Sequence, residues 1–444
     1  MLLPFFAFYI IINDIDVVKE KNMSLSEKII DNYIDILEEE LVVAMGCTEP
    51  IAIAYASSVL RSLLKRRPSK IKAGFSGNII KNVKSVIVPA TGGQGGLETA
   101  ICAGIIANCP ERRLEVLCGL KKSDAKKIAD YKEQVEIEVY EIETENQFEV
   151  DLVASGAHVH FEKRHTNITL AEYKGKDYTE KFGSKELVIG ETADRSCLNV
   201  EDIVEFADTV DIERVRPLIE KQIDLNYAIA KEGLRGDYGA SIGKTLLEGG
   251  TDTRIRARAH AAAGSDARMS GCEMPVCIIS GSGNQGMTAS IPVIIYAKDI
   301  EASREELIRA ILVSDLITIH QKTGIGCLSA YCGAISAGCG AGCGICYLNG
   351  GKYEEIAHTL VNAIAILSGT ICDGAKPSCA AKIAMAVEAG IMGYEMTKAG
   401  RQFRGGEGIV TKGVEKTIEN VGRLATRGMS GTDKEIIRIM LETK

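Results

Sequence analysis

The chain has 444 residues, 46% of them hydrophobic and 25% charged, and a formal net charge of -8; this is too long for one ordinary core and predicts two or three domains with ample apolar material to bury. An acidic chain repels nucleic-acid phosphates, and its best basic run, Lys65-Arg66-Arg67, reads as the solvated last turn of a helix. Fourteen cysteines would suggest disulfides in a small secreted domain, but here most sit in Gly/Ala-rich apolar segments of a long chain, which points to the reducing cytoplasm with some cysteines packing as small hydrophobes.

Leu2 to Ile12 is apolar for only eleven residues, too few to span a bilayer. It lacks the basic flank and cleavage site of a signal peptide, so no membrane partner is expected. We read Met23 as the natural start and residues 1–22 as a non-native extension. Ser24 and Ser26 then offer N-caps to a helix over 26–45, with Ile29, Ile30, Tyr33, Ile34 and Leu37 on one face. A second helix follows over 51–64. Short strands are predicted at Lys70–Phe75 and Ser85–Val88, helices at Gly96–Ala107 and Lys121–Tyr131. Alternation at Val135–Tyr140, Val150–Ala154, His158–Glu162 and Ile168–Glu172 predicts a small antiparallel sheet. Residues 23–195 therefore read as an α+β domain.

Strand signals almost vanish after Asn199. Helices are predicted over 200–232, 237–264, 301–320, 325–348, 353–370, 379–397 and 411–443, broken by glycines. Residues 196–444 read as an all-α domain whose Gly/Ala-rich centre lets helices approach closely.

Cys372 and Cys379 bracket a loop, Asp373-Gly374-Ala375-Lys376-Pro377-Ser378, between two apolar helices, and Cys332 lies 40 residues earlier. Three thiolates from such positions can anchor a 4Fe-4S cluster with one iron left open, since four thiolates are usual, and an open iron is a Lewis acid. Core packing is the alternative reading of the same spacing. Cys339, Cys343 and Cys346 form a rival set with a C-x-x-C pair, but their Gly/Ala helix favours core filling; a non-catalytic metal or redox-sensing protein would use them. Cys47, in Met45-Gly46-Cys47-Thr48-Glu49-Pro50, sits in a helix break with Pro50 at a natural first helical position. A helix N-terminus lowers a thiol pKa and suits a base or nucleophile; a buried cysteine at a tight turn is the plainer reading.

Three glycine loops, Ser76-Gly77-Asn78, Thr91 to Gly96 and Ser280 to Gly286, can aim backbone N–H groups at a carboxylate or serve only as turns. None is a P-loop or dinucleotide fingerprint, and no phosphate cup is paired with a Schiff-base lysine for pyridoxal phosphate. His158 and His160 alternate on one strand with His165 nearby, so two could share a face, which reads as a solvated sheet face rather than a metal site. Arg268 is a candidate carboxylate clamp, with an Asp266–Arg268 pair as the alternative.

Taken together, the Cys47-Thr48-Glu49-Pro50, Asp266-Ala267-Arg268-Met269, Gly281-Ser282-Gly283-Asn284-Gln285-Gly286, Leu328 to Gly333 and Cys372 to Cys379 segments resemble the L-cysteine desulfidase family, which is related to the iron–sulfur L-serine dehydratases. The resemblance implies an oxygen-labile 4Fe-4S cluster held by Cys332, Cys372 and Cys379, Cys47 as catalytic base, and L-cysteine as the small-molecule partner, split into hydrogen sulfide, pyruvate and ammonia. Thr48, Glu49, Ser76, Asn78, Arg268, Ser282 and Asn284 are the candidate substrate-binding residues. Serine dehydratases carry a His-Thr-x-Gly-Pro segment where this chain has Cys47-Thr48-Glu49-Pro50, which favours cysteine over serine. Homo-oligomerisation is left open.

Overall fold

A computed structural model describes residues 25–144, 146–182, 193–326 and 328–442; the expectations for residues 1–22 and Ser24 lie outside them. The first half runs α1 (Glu27–Glu40), β1 (Val43–Met45), α2 (Thr48–Leu63), β2 (Lys70–Phe75), α3 (Gly77–Val83), α4 (Leu97–Ala107), α5 (Asp124–Gln134), β3 (Glu136–Glu141), β4 (Glu149–Ala154), β5 (Ala157–Glu162), β6 (Ile168–Tyr173), β7 (Lys176–Asp177) and α6 (Thr179–Phe182). The second runs α7 (Val200–Thr209), α8 (Ile212–Arg235), α9 (Ile242–Glu248), α10 (Thr253–Met269), β8 (Pro275–Cys277), α11 (Gly283–Asp299), α12 (Arg304–Ile325), α13 (Gly333–Leu348), α14 (Tyr353–Leu367), α15 (Cys379–Lys398), α16 (Val414–Arg423) and α17 (Ser430–Glu442).

Strand order in the larger sheet is β3-β2-β4-β5-β6-β7. The β4–β5 and β6–β7 hairpins turn on Ser155-Gly156 and Lys174-Gly175, all four at positive φ, the conformation that matches strand twist in two-residue turns. Burial alternates strictly along β5, and α2, buried along almost its whole length, packs on this face. Two expectations are corrected. The sheet is mixed, because β2 and β3 pair in parallel. The second half is not purely helical, because β8 pairs antiparallel with β1, Val43 opposite Cys277 and Met45 opposite Pro275. The predicted helix over 26–45 accordingly stops at Glu40, where the chain enters that ladder. Ser85–Val88 forms only an isolated bridge, Ile87 to Gly95.

In the second half α13 packs between α12 and α15. A Cβ on Gly338 would come within 2.3 Å of the Ala386 carbonyl oxygen, and one on Gly390 within 2.1 Å of that of Gly338, so this seam admits only glycine. The predicted 325–348 helix starts later: α12 ends at Ile325, with Gly326 as its C-cap at φ +89°, and α13 begins only at Gly333, which places Cys332 at its N-cap. Among the described residues no helix is long and apolar enough to cross a membrane.

Candidate active site

The loops carrying Cys332 and Cys372 are stitched together by backbone. The Cys332 N–H donates to the Thr370 carbonyl (3.0 Å), the Cys372 N–H donates to that of Ala330 (2.6 Å), and Tyr331 bridges Ile371. Cys332 caps α13 and Cys379 opens α15. Gly374 turns the loop between Cys372 and Cys379 at φ +93°, where a Cβ would lie 2.4 Å from the Lys81 carbonyl oxygen. The fully buried Lys81 ammonium pairs with Asp433 of α17, and Asp433 also accepts the Ala330 N–H at 3.0 Å, so the C-terminal helix braces both loops.

Cys332 and Cys372 act on one another: their interaction, opposed by burial and aided by the charges of Lys81 and Lys382, pulls Cys372 down to about 6, while the same interaction and burial push Cys332 up. Cys332, Cys372 and Cys379 all line one cavity of about 90 Å³. Among the described residues no three His, Cys, Asp or Glu groups close on a single ion. Three thiols spread around a cavity, one of them drawn toward thiolate, instead suit a cluster whose irons are bound one cysteine each.

Cys47 lines the same cavity, as do Glu49, Arg268, Ser282 and Asn284. Cys47 caps α2, and its Sγ donates to Glu49 Oε2 at 3.0 Å. Burial first, then the Glu49 charge, push its thiol well up, with Arg268 opposing; the lowering expected from the helix N-terminus is overturned. Pro50 occupies the third helical position rather than the first, where its missing N–H is still not needed. Arg268 Nε donates to the Gly46 carbonyl at 3.0 Å, while its Nη2 is buried without a partner. It does not pair with Asp266, which accepts the Gly243 N–H instead and is pushed by burial up to about 6. Ser282 caps α11; the Asn284 Oδ1 and Gln285 Oε1 atoms beside it are buried and unpartnered. One cavity thus gathers an unsatisfied cationic donor and two unsatisfied acceptors, complementary to a carboxylate and an ammonium.

The remaining candidates stand apart from the cavity lining. Thr48 braces its wall, its hydroxyl donating to the Gly281 carbonyl at 2.6 Å. Ser76 bonds the Gln147 carbonyl at 3.1 Å, and neither it nor Asn78 lines the cavity. Cys339, Cys343 and Cys346 are buried along α13, as core filling predicts. His158 and His160 both bond Asp151, but His165 is not on a solvated face: it is buried against Phe148, 4.4 Å between ring centres, its Nε2 unpartnered, and burial lowers its pKa. His165, Gln285 and Lys322 are lining residues that the sequence reading passed over. Gln285 stood next to a chosen residue in a chosen motif; His165 and Lys322 carry no local signal. His165, Ser280, Gly281 and Lys322 also line an adjoining outer cleft of about 650 Å³.

The family model for the serine dehydratase alpha chain matches residues 111–438. The chain is 53% identical over 426 residues to a UPF0597 protein of Desulfitobacterium hafniense, covering 94% of this chain and 98% of that one. A UPF0597 protein of Treponema denticola is 43% identical, covering 95% and 100%, and one of Lachnoclostridium phytofermentans 47% identical, covering 92% and 99%. The chain belongs to the serine dehydratase alpha chain family, related to the iron–sulfur L-serine dehydratases. That family implies a lyase of the dehydratase type with a 4Fe-4S cluster.

Proposed function

We propose that this protein is an L-cysteine desulfidase, eliminating hydrogen sulfide from L-cysteine, with pyruvate and ammonia as the final products. The observation that carries the reading is the single cavity bordered by Cys47, by Cys332, Cys372 and Cys379, and by the unpartnered Nη2 of Arg268. In this reading the last three cysteines hold a 4Fe-4S cluster, which supplies a Lewis acid for the leaving sulfur. Arg268, fixed through Nε on Gly46, receives the substrate carboxylate. Asn284 and Gln285 accept from its ammonium. Cys47 takes the Cα proton, a step helped by positioning and exclusion of water. The aminoacrylate then hydrolyses to pyruvate and ammonia.

The family match supports a second substrate, L-serine. The deciding experiment is anaerobic purification, with iron, acid-labile sulfide and the visible spectrum measured before L-cysteine or L-serine is added. About four irons per chain, with sulfide and pyruvate released from cysteine, support the desulfidase. Pyruvate from serine alone makes it a dehydratase. An active, iron-free protein rejects the cluster.

A further inference from the structure

Glu49 is a buried carboxylate in the first turn of α2, two residues from Cys47 and turned back onto it. Its Oε2 lies 3.0 Å from Cys47 Sγ and 3.2 Å from the Thr48 hydroxyl. It lines the cavity beside Arg268 of α10, His165 of the loop after β5 and Lys322 of α12; Lys382 and the three cysteines complete the titratable lining. A neutral thiol is no base, and a thiolate beside an ionised carboxylate in a buried site sets two negative charges together. A proton shared between the two groups avoids both problems.

We propose that Glu49 is the positioning residue that accepts the Cys47 proton, so that the pair carries one proton at rest and takes a second from the substrate. The inference rests on the reading of Cys47 as base. As the Cα–H bond breaks, its electrons form the Cα–Cβ double bond and the Cβ–S bond gives its pair to the leaving sulfur. The Cα proton arrives on Sγ while the Sγ proton crosses to Glu49 Oε2. Loss of one proton from the doubly protonated pair to water resets it. No oxidant or reductant is needed.

The test uses the cluster-loaded enzyme and compares Cys47→Ala, Glu49→Gln and Glu49→Asp with the parent. Iron content and helical circular dichroism establish that each variant is folded and loaded. With Glu49→Gln the thiol must ionise alone. At neutral pH kcat should then fall on the order of 100-fold, the low end for general acid–base catalysis, with KM little changed. The acid limb of kcat/KM should move to alkaline pH, and Glu49→Asp should restore the parental profile in part. An equal fall at every pH assigns Glu49 a structural role and overturns the inference, as does an unchanged profile. If Cys47→Ala turns over normally, the reading of Cys47 itself falls; if Cys47 is essential and Glu49→Gln keeps the parental profile, only the inference about Glu49 falls.

Discussion

Arg268 reaches across from the last turn of α10 to donate through Nε to the Gly46 carbonyl at 3.0 Å, and this bond fixes the guanidinium against the residue that precedes Cys47. In the proposed reading the arrangement couples substrate binding to the base. Gly283 is part of it, since a Cβ there would sit 2.6 Å from Arg268 Nε. With its Nη2 unpartnered, Arg268 retains a donor for a carboxylate. Arg268→Ala should reduce kcat/KM for L-cysteine by about 10- to 100-fold, the worth of one charge-assisted hydrogen bond, while iron content is unchanged. Arg268→Lys should not rescue it, because an ammonium cannot serve Gly46 and a carboxylate with the same fork. Steady-state kinetics on the two variants decide this; full activity in the lysine variant removes the clamp.

The two cysteine sets predict opposite outcomes. Cys372→Ala removes the thiol drawn toward thiolate, and the protein should lose brown colour, iron and activity together. Cys339→Ala, Cys343→Ala and Cys346→Ala remove side chains packed within the α13 interfaces and should keep iron and turnover, each costing about 1 kcal/mol in stability for a buried group of this size. Iron loss in the α13 variants with retention in Cys372→Ala would reverse the assignment.

The Cys372–Cys379 loop was legible in the sequence because its signals are local: Gly374 and Pro377 break the chain, and apolar helices flank the break; the Cys332 segment, which reads as part of a helix over 325–348, was not. The glycine seam between α13 and α15 was legible for the same reason, as composition alone marks a close approach. Failures came where the deciding partner is far away in sequence. Val43–Met45 is too short to show a period, and what makes it a strand is Pro275–Cys277. His165 enters the cavity because Gly281, 116 residues on, lies against it, a Cβ there falling 2.6 Å from the ring. The ionisation of Cys47 departs from the sequence expectation for another reason: burial and the Glu49 carboxylate push its thiol up, against the lowering expected of a helix N-terminus.

Stability should depend on pH through the β4–β5 hairpin. Burial tends to raise the Asp151 carboxyl, but hydrogen bonds from His160, His158 and Tyr140 outweigh it and bring it down to about 2. Its stabilising contribution is complete above the unfolded value near 4 and is lost as pH falls toward 2. The bond to Asp151 raises His160, against burial; that contribution is complete below about 6.5 and is lost as pH rises through the folded value. The two overlap fully between about pH 4 and 6.5. Asp151→Asn should cost on the order of 1–2 kcal/mol at pH 5 and less at pH 8, read from urea midpoints of parent and variant. A constant difference at both pH values removes the ion pair as the cause.

A buried acid also lies outside the candidate site. Asp315 of α12 is fully buried, and burial pushes its carboxyl well up although Gln222 opposes this. Gln222 Nε2 donates to Oδ1 at 3.1 Å, while Asp315 Oδ2 and Gln222 Oε1 are both buried without partners. An ionised carboxylate with a buried, unpaired oxygen is costly, and a proton on Asp315 removes that charge. Asp315 is therefore expected to hold its proton to higher pH than an exposed carboxylate does. Asp315→Asn keeps the shape and replaces the hydroxyl donor by an amide, so it should change stability by less than about 1 kcal/mol, whereas Asp315→Ala opens a cavity and strands Gln222, costing roughly 3 kcal/mol. Thermal and urea denaturation of the two variants separate the cases. If asparagine destabilises as much as alanine, Asp315 is ionised and its charge is met by a partner other than Gln222.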